Sequence, residues 1–335
     1  MAEIGDGATT LVDIAKMMDP DGSVSAVAEL LSEQNDIITD IPWVESNLPT
    51  GHQTSQRTSL PSTTWRLANA GTAPSKSTAA QAVDSIGILE AWAEIDQHVA
   101  DLNGNSAKFR LQESMAFIEA MGQEFTQTMF YGNTGSAPEE FMGFAPRFAA
   151  TTDTNGQNIL LGGGAGADNS SIWLVGWAAD KVAGIYPKGS MAGLNHENLG
   201  LVTVETTAGV GTAGARMRAY QDHYVWKCGL MVKDWRYVVR IPNIDISALV
   251  SKTSAADLYD LMIEATHTVP NLSACNPVFY MNRSCFKMLD IQGRDDVISG
   301  GGLKFENVEG KRITSFRGIP VRISDQLTEA EAVLS

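Results

Sequence analysis

Apolar positions along this chain are most regular between Ser106 and Tyr131. Leu111, Met115, Ile118, Phe125 and Met129 share one helical face, Phe117 and Met121 lie beside it, and Gly132-Asn133 follows as a stop. The spacing predicts one long helix over 106–131, about seven turns at ~3.6 residues each. Further back, Leu11, Ile14 and Ala15, then Val24, Val27, Ala28 and Leu31, also recur at helical spacing. They predict short helices over 9–18 and 23–33, separated by Asp19-Pro20-Asp21-Gly22. Neither is long enough to stand alone, so this arm must lean on its own body or on a neighbour.

Between these helical stretches the pattern changes. GHQTSQRTSL (51–60) and STTWRLANAG (62–71) read as two strands meeting at a turn around Pro61, and neither has an apolar face. A hairpin that buries so little is marginal alone, so it is expected to project and to find its partner in another chain. The stretch 86–98, with Ile86, Leu89, Trp92, Ala93 and Ile95, is compatible with a helix that ends at Asp101-Leu102-Asn103-Gly104-Asn105. From Gly143 onward strands dominate. SSIWLVGWAAD (170–180) reads as a buried strand, and LVTVETTAGVGTAG (201–214) as a strand entering a glycine-rich turn. HYVWKCGLMV (223–232), WRYVVRIPNID (235–245) and NPVFYM (276–281) add three more, with helices at 255–267 and 283–290. KRITSFRGIPVRIS (311–324) closes the pattern as a hairpin turning near Gly318. Tight turns outnumber crossover helices, so this block is expected to mix helix and sheet with an antiparallel bias.

Charge separates the first two segments. Up to Asn47, ten carboxylates (Glu3, Asp6, Asp13, Asp19, Asp21, Glu29, Glu33, Asp36, Asp40, Glu45) face only Lys16, whereas the hairpin carries Arg57, Arg66 and Lys76 with no carboxylate between Glu45 and Asp84. The 335 residues suffice for a sizeable core. A formal net charge of −15 argues against gripping nucleic acid by general attraction, though not against enclosing it. Three scattered cysteines, Cys228, Cys275 and Cys285, fit neither a disulfide framework nor a zinc site and read as mostly buried thiols of a reducing compartment. The first residues lack a basic region followed by an apolar block, and no apolar stretch approaches the ~20 residues of a membrane span. Synthesis in the cytoplasm is therefore expected.

Candidate chemistry is sparse. GVGTAG (Gly209, Gly211, Gly214) matches the dinucleotide pattern after a strand, but the next residues return to strand character instead of opening the helix that would hold a pyrophosphate. GGGAGAD (162–168) and SGGG (299–302) lack the Lys-Ser/Thr ending of a phosphate loop and read as mobile loops. His52, His98, His196, His223 and His267 are scattered, and Glu197 beside His196 does not make an acid–base pair. The run Trp226, Lys227, Lys233, Trp235, Arg236, Tyr237, Arg240 could stack nucleic acid, but it fits better a strand with one face buried and one solvated. No catalytic, metal or cofactor site is expected.

The order of these elements, acidic arm, polar hairpin, long helix and mixed remainder, resembles the Hong Kong 97 type of major capsid protein of tailed bacteriophages. DGATTLVDIAKMMDPDG, NLPTGHQTSQRTSLPSTTWRLANAG, DLNGNSAKFRLQESMAFIEAMGQEF, YGN followed by PEEFMGF, and WLVGWAADKVAGIYPKG are similar to stretches of short-tailed phage and prophage head proteins, and the likeness runs nearly end to end. The resemblance implies an α+β capsid fold. Its parts would be an N-terminal arm (1–47), an extended E-loop (48–90), a peripheral domain (91–142) with the spine helix at 106–131, a mainly axial domain (143–310), and a C-terminal hairpin (311–335) returning to the periphery. It implies a virion subunit, made in the host cytoplasm, that assembles with itself as hexamers and pentamers around dsDNA. A separate scaffolding protein, a portal and a decoration protein are the other expected partners. Contacts between subunits are expected from Arg57, Trp65, Arg66 and Lys76 on the hairpin and from Asp36 and Asp40 in the arm. Two other readings remain at this level, an encapsulin-like nanocompartment shell and a nucleotide-binding enzyme using GVGTAG.

Overall fold

The long helix forms as its pattern demands, Ser106–Tyr131, and Gly132 ends it where a Cβ would lie 2.5 Å from the Phe141 carbonyl oxygen. The computed structural model describes residues 35–101, 106–206, 215–253, 255–295, 303–308 and 311–334. The helices expected at 9–18 and 23–33, the GVGTAG turn and the SGGG stretch lie outside the described residues. The described residues form two compact units: one takes Asn35, 88–126 and 193–227, and the other takes 36–87, 127–192 and 228–334. The chain passes from one to the other inside strand β3 (Thr78–Asp96), inside the long helix and inside β7 (Ala215–Val232).

In the first unit, β6 (Leu194–Thr206) and β7 form an antiparallel ladder from Leu194↔Trp226 to Thr206↔Ala215. Alternation along β7 sorts its side chains. Tyr220, Asp222, Tyr224 and Trp226 meet the long helix: Arg110 lies 4.8 Å over the Tyr220 ring and 2.8 Å from Asp222, Phe117 stacks on Tyr224, and Phe125 on Trp226 at 4.4 Å. On the alternate positions, Gln221 donates to Glu94 at 2.7 Å and His223 stacks on Trp92 at 3.8 Å. The helix thus turns Phe109, Met121 and Phe125 inward, while Leu111, Met115 and Ile118, expected on its core face, are exposed. The reason lies in the partner: aromatic rings and the stem of Arg110 fill the seam against β7, and a long amphipathic stem covers as much surface as leucine does.

The second unit holds two sheets. In the first, β1 (Trp43–Glu45) runs parallel to β5 (Val182–Tyr186), β5 pairs antiparallel with the end of β7, and β3 pairs with β2 (Gly51–Ser59), giving the order β1-β5-β7-β3-β2. Ala183, Ile185 and Met231 form its core with Val44 and Ile86. The stretch 86–98 is therefore strand up to Asp96 and not helix. β7 lies beside it and β2 runs on beside the preceding residues up to Ser85, and that long-range pairing outweighs a weak local helical period. The second sheet has the order β10-β11-β12-β9-β4-β8: β10 (Leu303–Val308), β11 (Lys311–Phe316), β12 (Ile319–Ile323), β9 (Asn276–Met281), β4 (Asn169–Trp177) and β8 (Val238–Asp245). Every residue of β4 is buried, with Phe130, Phe144 and Phe148 ringing Trp173 at 5.7–6.2 Å. On this sheet Phe316 meets Phe279 and Tyr259 edge-on.

The expected solvated face of 235–245 is corrected here. β8 ends the sheet, but it is buried because Leu160, Gly162 and Gly164 bond along its outer edge and helix Leu258–Thr268 packs on it, and Arg240 goes inward with it. Gly162 and Gly164 do not form a mobile loop either. Their amides bond the Pro242 and Asn243 carbonyls, an approach that leaves no room for a Cβ. The hairpin after Lys311 joins β9 in parallel, Val321↔Phe279, and so lies in the same sheet as β4 and β8.

Candidate functional site

Every residue from Arg57 to Val83 is exposed in the isolated chain. This stretch is the outer part of the hairpin between β2 and β3, whose ladder runs from Gly51↔Ser85 out to Ser59↔Thr78. At the end of the ladder the hydroxyls of Thr58 and Ser59 both meet Thr78 Oγ1, at 2.8 and 2.7 Å. Beyond them the chain keeps only local bonds, Ser75 to the Ser62 carbonyl at 2.8 Å and a turn closed by Ala70 N–H on the Leu67 carbonyl. Asn69 occupies that turn at φ 67, a left-handed position that asparagine tolerates. The second strand expected at 62–71 is not one: without an apolar face it has nothing to pair against, and the return strand starts at Thr78.

Apolar side chains sit in the open on this element. Trp65 is fully exposed, and Leu67 and Leu60 are 81% and 75% exposed. Single exposed leucines are ordinary, but three large apolar groups beside three cations on a strip exposed along its whole length form a surface built for contact. Arg57, Arg66 and Lys76 make no ion pair among the described residues. At its foot the hairpin borders an open groove of about 880 Å³, where Arg57 and Lys233 face the paired Asp180–Lys181 and Asp234–Arg236.

The foot itself is fixed. Asp84, the first carboxylate after Glu45, is buried and meets Arg147 Nη1 at 2.8 Å, and the Val232 amide donates to its other oxygen at 3.3 Å. Arg147 in turn reaches the carbonyls of Gly143 and Met142. Gly51 packs so closely beside Asp84 that a Cβ would come within 2.5 Å of its carbonyl oxygen. The hairpin is thus clamped at one end and unsupported at the other.

Asp36 and Asp40, expected to face a neighbour, are placed against Arg322 of their own chain, at 4.0 and 3.3 Å, and Asp40 also accepts from Tyr280 at 2.9 Å. Burial first, then the Asp40 charge, raises the Tyr280 phenol well above its ordinary range. Sequence reasoning missed two buried ion pairs, Asp84–Arg147 and Arg240–Glu331. The lone carboxylate closing a basic stretch was the available signal for the first. Nothing local marks the second, whose partners lie 91 residues apart.

No group of three or more metal-ligating side chains occurs among the described residues. His196 meets Asp222 at 3.0 Å rather than Glu197, in a cluster already occupied by Arg110. Burial pushes the Cys228 and Cys285 thiols up to about 12, which suppresses the thiolate and its nucleophilicity. No helix among the described residues is long and apolar enough to cross a membrane.

Comparison with known proteins adds the context. A family model described as major capsid protein GP7 matches residues 19–335. A chain of the near-atomic structure of bacteriophage epsilon15 is similar over 100% of this chain and 99% of its own, with 31% identity and a TM-score of 0.78. The capsid of bacteriophage JBD30 is similar at 9% identity, covering 90% of this chain and 93% of that one, with a TM-score of 0.47. An encapsulin complex from Synechococcus elongatus PCC 7942 is similar at 10% identity, covering 70% and 95%, with a TM-score of 0.43. Among curated proteins none matches the chain.

Proposed function

The chain belongs to the family of the major capsid protein GP7 of phages, and from that premise we propose that its exposed hairpin is the arm by which one subunit engages the next. As a phage major capsid protein it is a structural component of the virion that assembles with copies of itself. The observation that carries the proposal is the unbroken exposure of 57–83 with Trp65, Leu67 and Leu60 uncovered, above a foot held by Asp84 and Arg147. In a closed shell, about half of a standard interface's area is apolar and its core is water-free, which gives these side chains their burial. Arg57, Arg66 and Lys76 supply the polar rim and meet carboxylates of a neighbouring subunit. Such exposed pairs contribute only ~0–1 kcal/mol each, so they set register more than strength. Asp36 and Asp40 serve their own chain in this reading, as partners of Arg322.

The finer parts of the reading are also proposals. The shell is icosahedral, built of hexamers and pentamers around dsDNA, and the net charge of −15 suits enclosure without gripping. The long helix is the spine of the peripheral domain (91–142), the segment 143–310 is mainly axial, and scaffolding, portal and decoration proteins are separate chains. The subunit does no chemistry: the Cys228 and Cys285 thiols are buried, Cys275 is half-buried, and the one described His–Asp contact is taken up by an arginine. The nanocompartment reading falls behind, since the encapsulin likeness is distant.

The test is negative-stain electron microscopy of the protein expressed with its neighbouring genes, for the wild type and for Arg57→Glu/Arg66→Glu. Wild type should give closed shells of uniform size, or sheets and tubes. The variant should stay folded by circular dichroism and yield few or none. Normal shells from the variant would remove the cations from the interface.

A further inference from the structure

The segment after β12 lies back across the second sheet as a strap. Ser324 N–H bonds the Met281 carbonyl at 3.0 Å, Leu327 is fully buried and its carbonyl accepts from the Asn282 side chain, and Glu331 N–H bonds the Asn169 carbonyl at 3.0 Å. Leu334 exchanges two bonds with the Asn243 amide group, at 2.6 and 2.8 Å. The strap therefore touches β9, β4 and β8 in turn.

Glu331 is the centre of this docking. One carboxylate oxygen accepts from Tyr131, the last residue of the long helix, at 2.6 Å. The other accepts from Ser171 of β4 and from Arg240 of β8, the latter at 2.8 Å. The Arg240 and Glu331 side chains are only 7% and 5% exposed. The remaining partners of Arg240 are neutral: the Phe148 carbonyl at 2.8 Å, Ser171 Oγ at 3.3 Å and the face of Trp173 at 5.1 Å. Among the described residues Glu331 is thus its one counter-charge. A buried cation left without one is far more costly than a pair absent altogether. Burial, with the Glu331 charge second, also raises the Tyr131 phenol above its ordinary range, so tyrosine stays a donor to this carboxylate.

Position in the chain adds an order of events. The strap follows every strand it docks on, and its seat comprises residues 131, 169–171, 240–243 and 281–282, so it closes only after the sheet has formed. We propose that residues 324–334 are a licensing strap: a subunit becomes competent to assemble only once the strap has closed over β9, β4 and β8 with no uncompensated charge left at Arg240, which Glu331 neutralises. Until then the sheet holds an unpaired buried guanidinium. A shell repeats one subunit geometry many times, so an open strap is corrected or excluded rather than built in.

Three proteins test this: wild type, Glu331→Leu, and Arg240→Met/Glu331→Leu, each examined by hydrogen exchange over 324–334 and by shell yield. In Glu331→Leu, strap exchange should speed up at least tenfold and shell yield fall at least tenfold. The double variant replaces an ion pair with two apolar groups of similar volume, so strap protection and shells should both return to within about threefold of wild type. If Glu331→Leu fails to fold at all, the double variant decides, since its folding and assembly support the strap and its failure overturns it. Wild-type shell yield from Glu331→Leu with the strap unprotected, or a double variant no better than the single, would also overturn the proposal.

Discussion

Asp84 shows how much one side chain settles at the scale of the residue. By composition it merely ends a carboxylate-free stretch, yet its buried ion pair with Arg147 decides where the hairpin stops being part of the body. Removing the charge while keeping the shape, as in Asp84→Asn, leaves the Arg147 guanidinium mostly buried and unpaired. The unassembled subunit should lose about 3 kcal/mol in urea denaturation, and a loss below about 0.5 kcal/mol would mean that the pair anchors nothing. Arg240 carries the complementary lesson. It stands in a run of bases and aromatics that alternation would turn to water, but a strand covered on both faces offers no wet side, so the charge had to find Glu331.

At the scale of the element, the long helix and the Lys311–Ile323 hairpin show what local sequence controls. The helix follows from its period and its glycine stop, and its residue range agrees with the expectation. The hairpin follows from Arg317-Gly318, where both residues have positive φ, 53° and 85°, the backbone of a tight two-residue turn whose twist suits the strands. Gly318→Val places a β-branched side chain in the left-handed region and should cost about 1–2 kcal/mol, read as a lower thermal midpoint of the free subunit with the secondary structure retained. An unchanged midpoint would show that the turn relaxes to another type. The face a helix presents is a different matter. Leu111, Met115 and Ile118 have the right period for a core seam but are exposed, because β7 offers aromatic rings to the next positions round. Likewise 86–96 became strand because backbone pairing with distant residues outweighed a faint helical period.

At the scale of the whole molecule, the hairpin should be separable from the fold it springs from. Replacing 60–77 by Asn-Gly leaves the ladder from Gly51 to Ser59, its clamp at Asp84 and both sheets untouched. The expected outcome is a subunit with wild-type thermal stability that forms no shells. Shells of normal size and yield would show that the hairpin is not the engaging arm, and an unfolded product would show that it supports its own body. The sequence alone determined the mixed helix-and-sheet class, the long helix, most strands after Gly143, the polar hairpin with its unbalanced cations, and the capsid family. Each rests on short-range periodicity, turn chemistry or composition, which neighbouring residues carry among themselves. Only the tertiary structure decided the division into two units, the inward turn of Arg240, the Asp84 clamp, and the meeting of Glu331 with Tyr131, Ser171 and Arg240. Those depend on which distant segments share a layer, and a buried charge can be assigned a partner only once the fold has brought the two together.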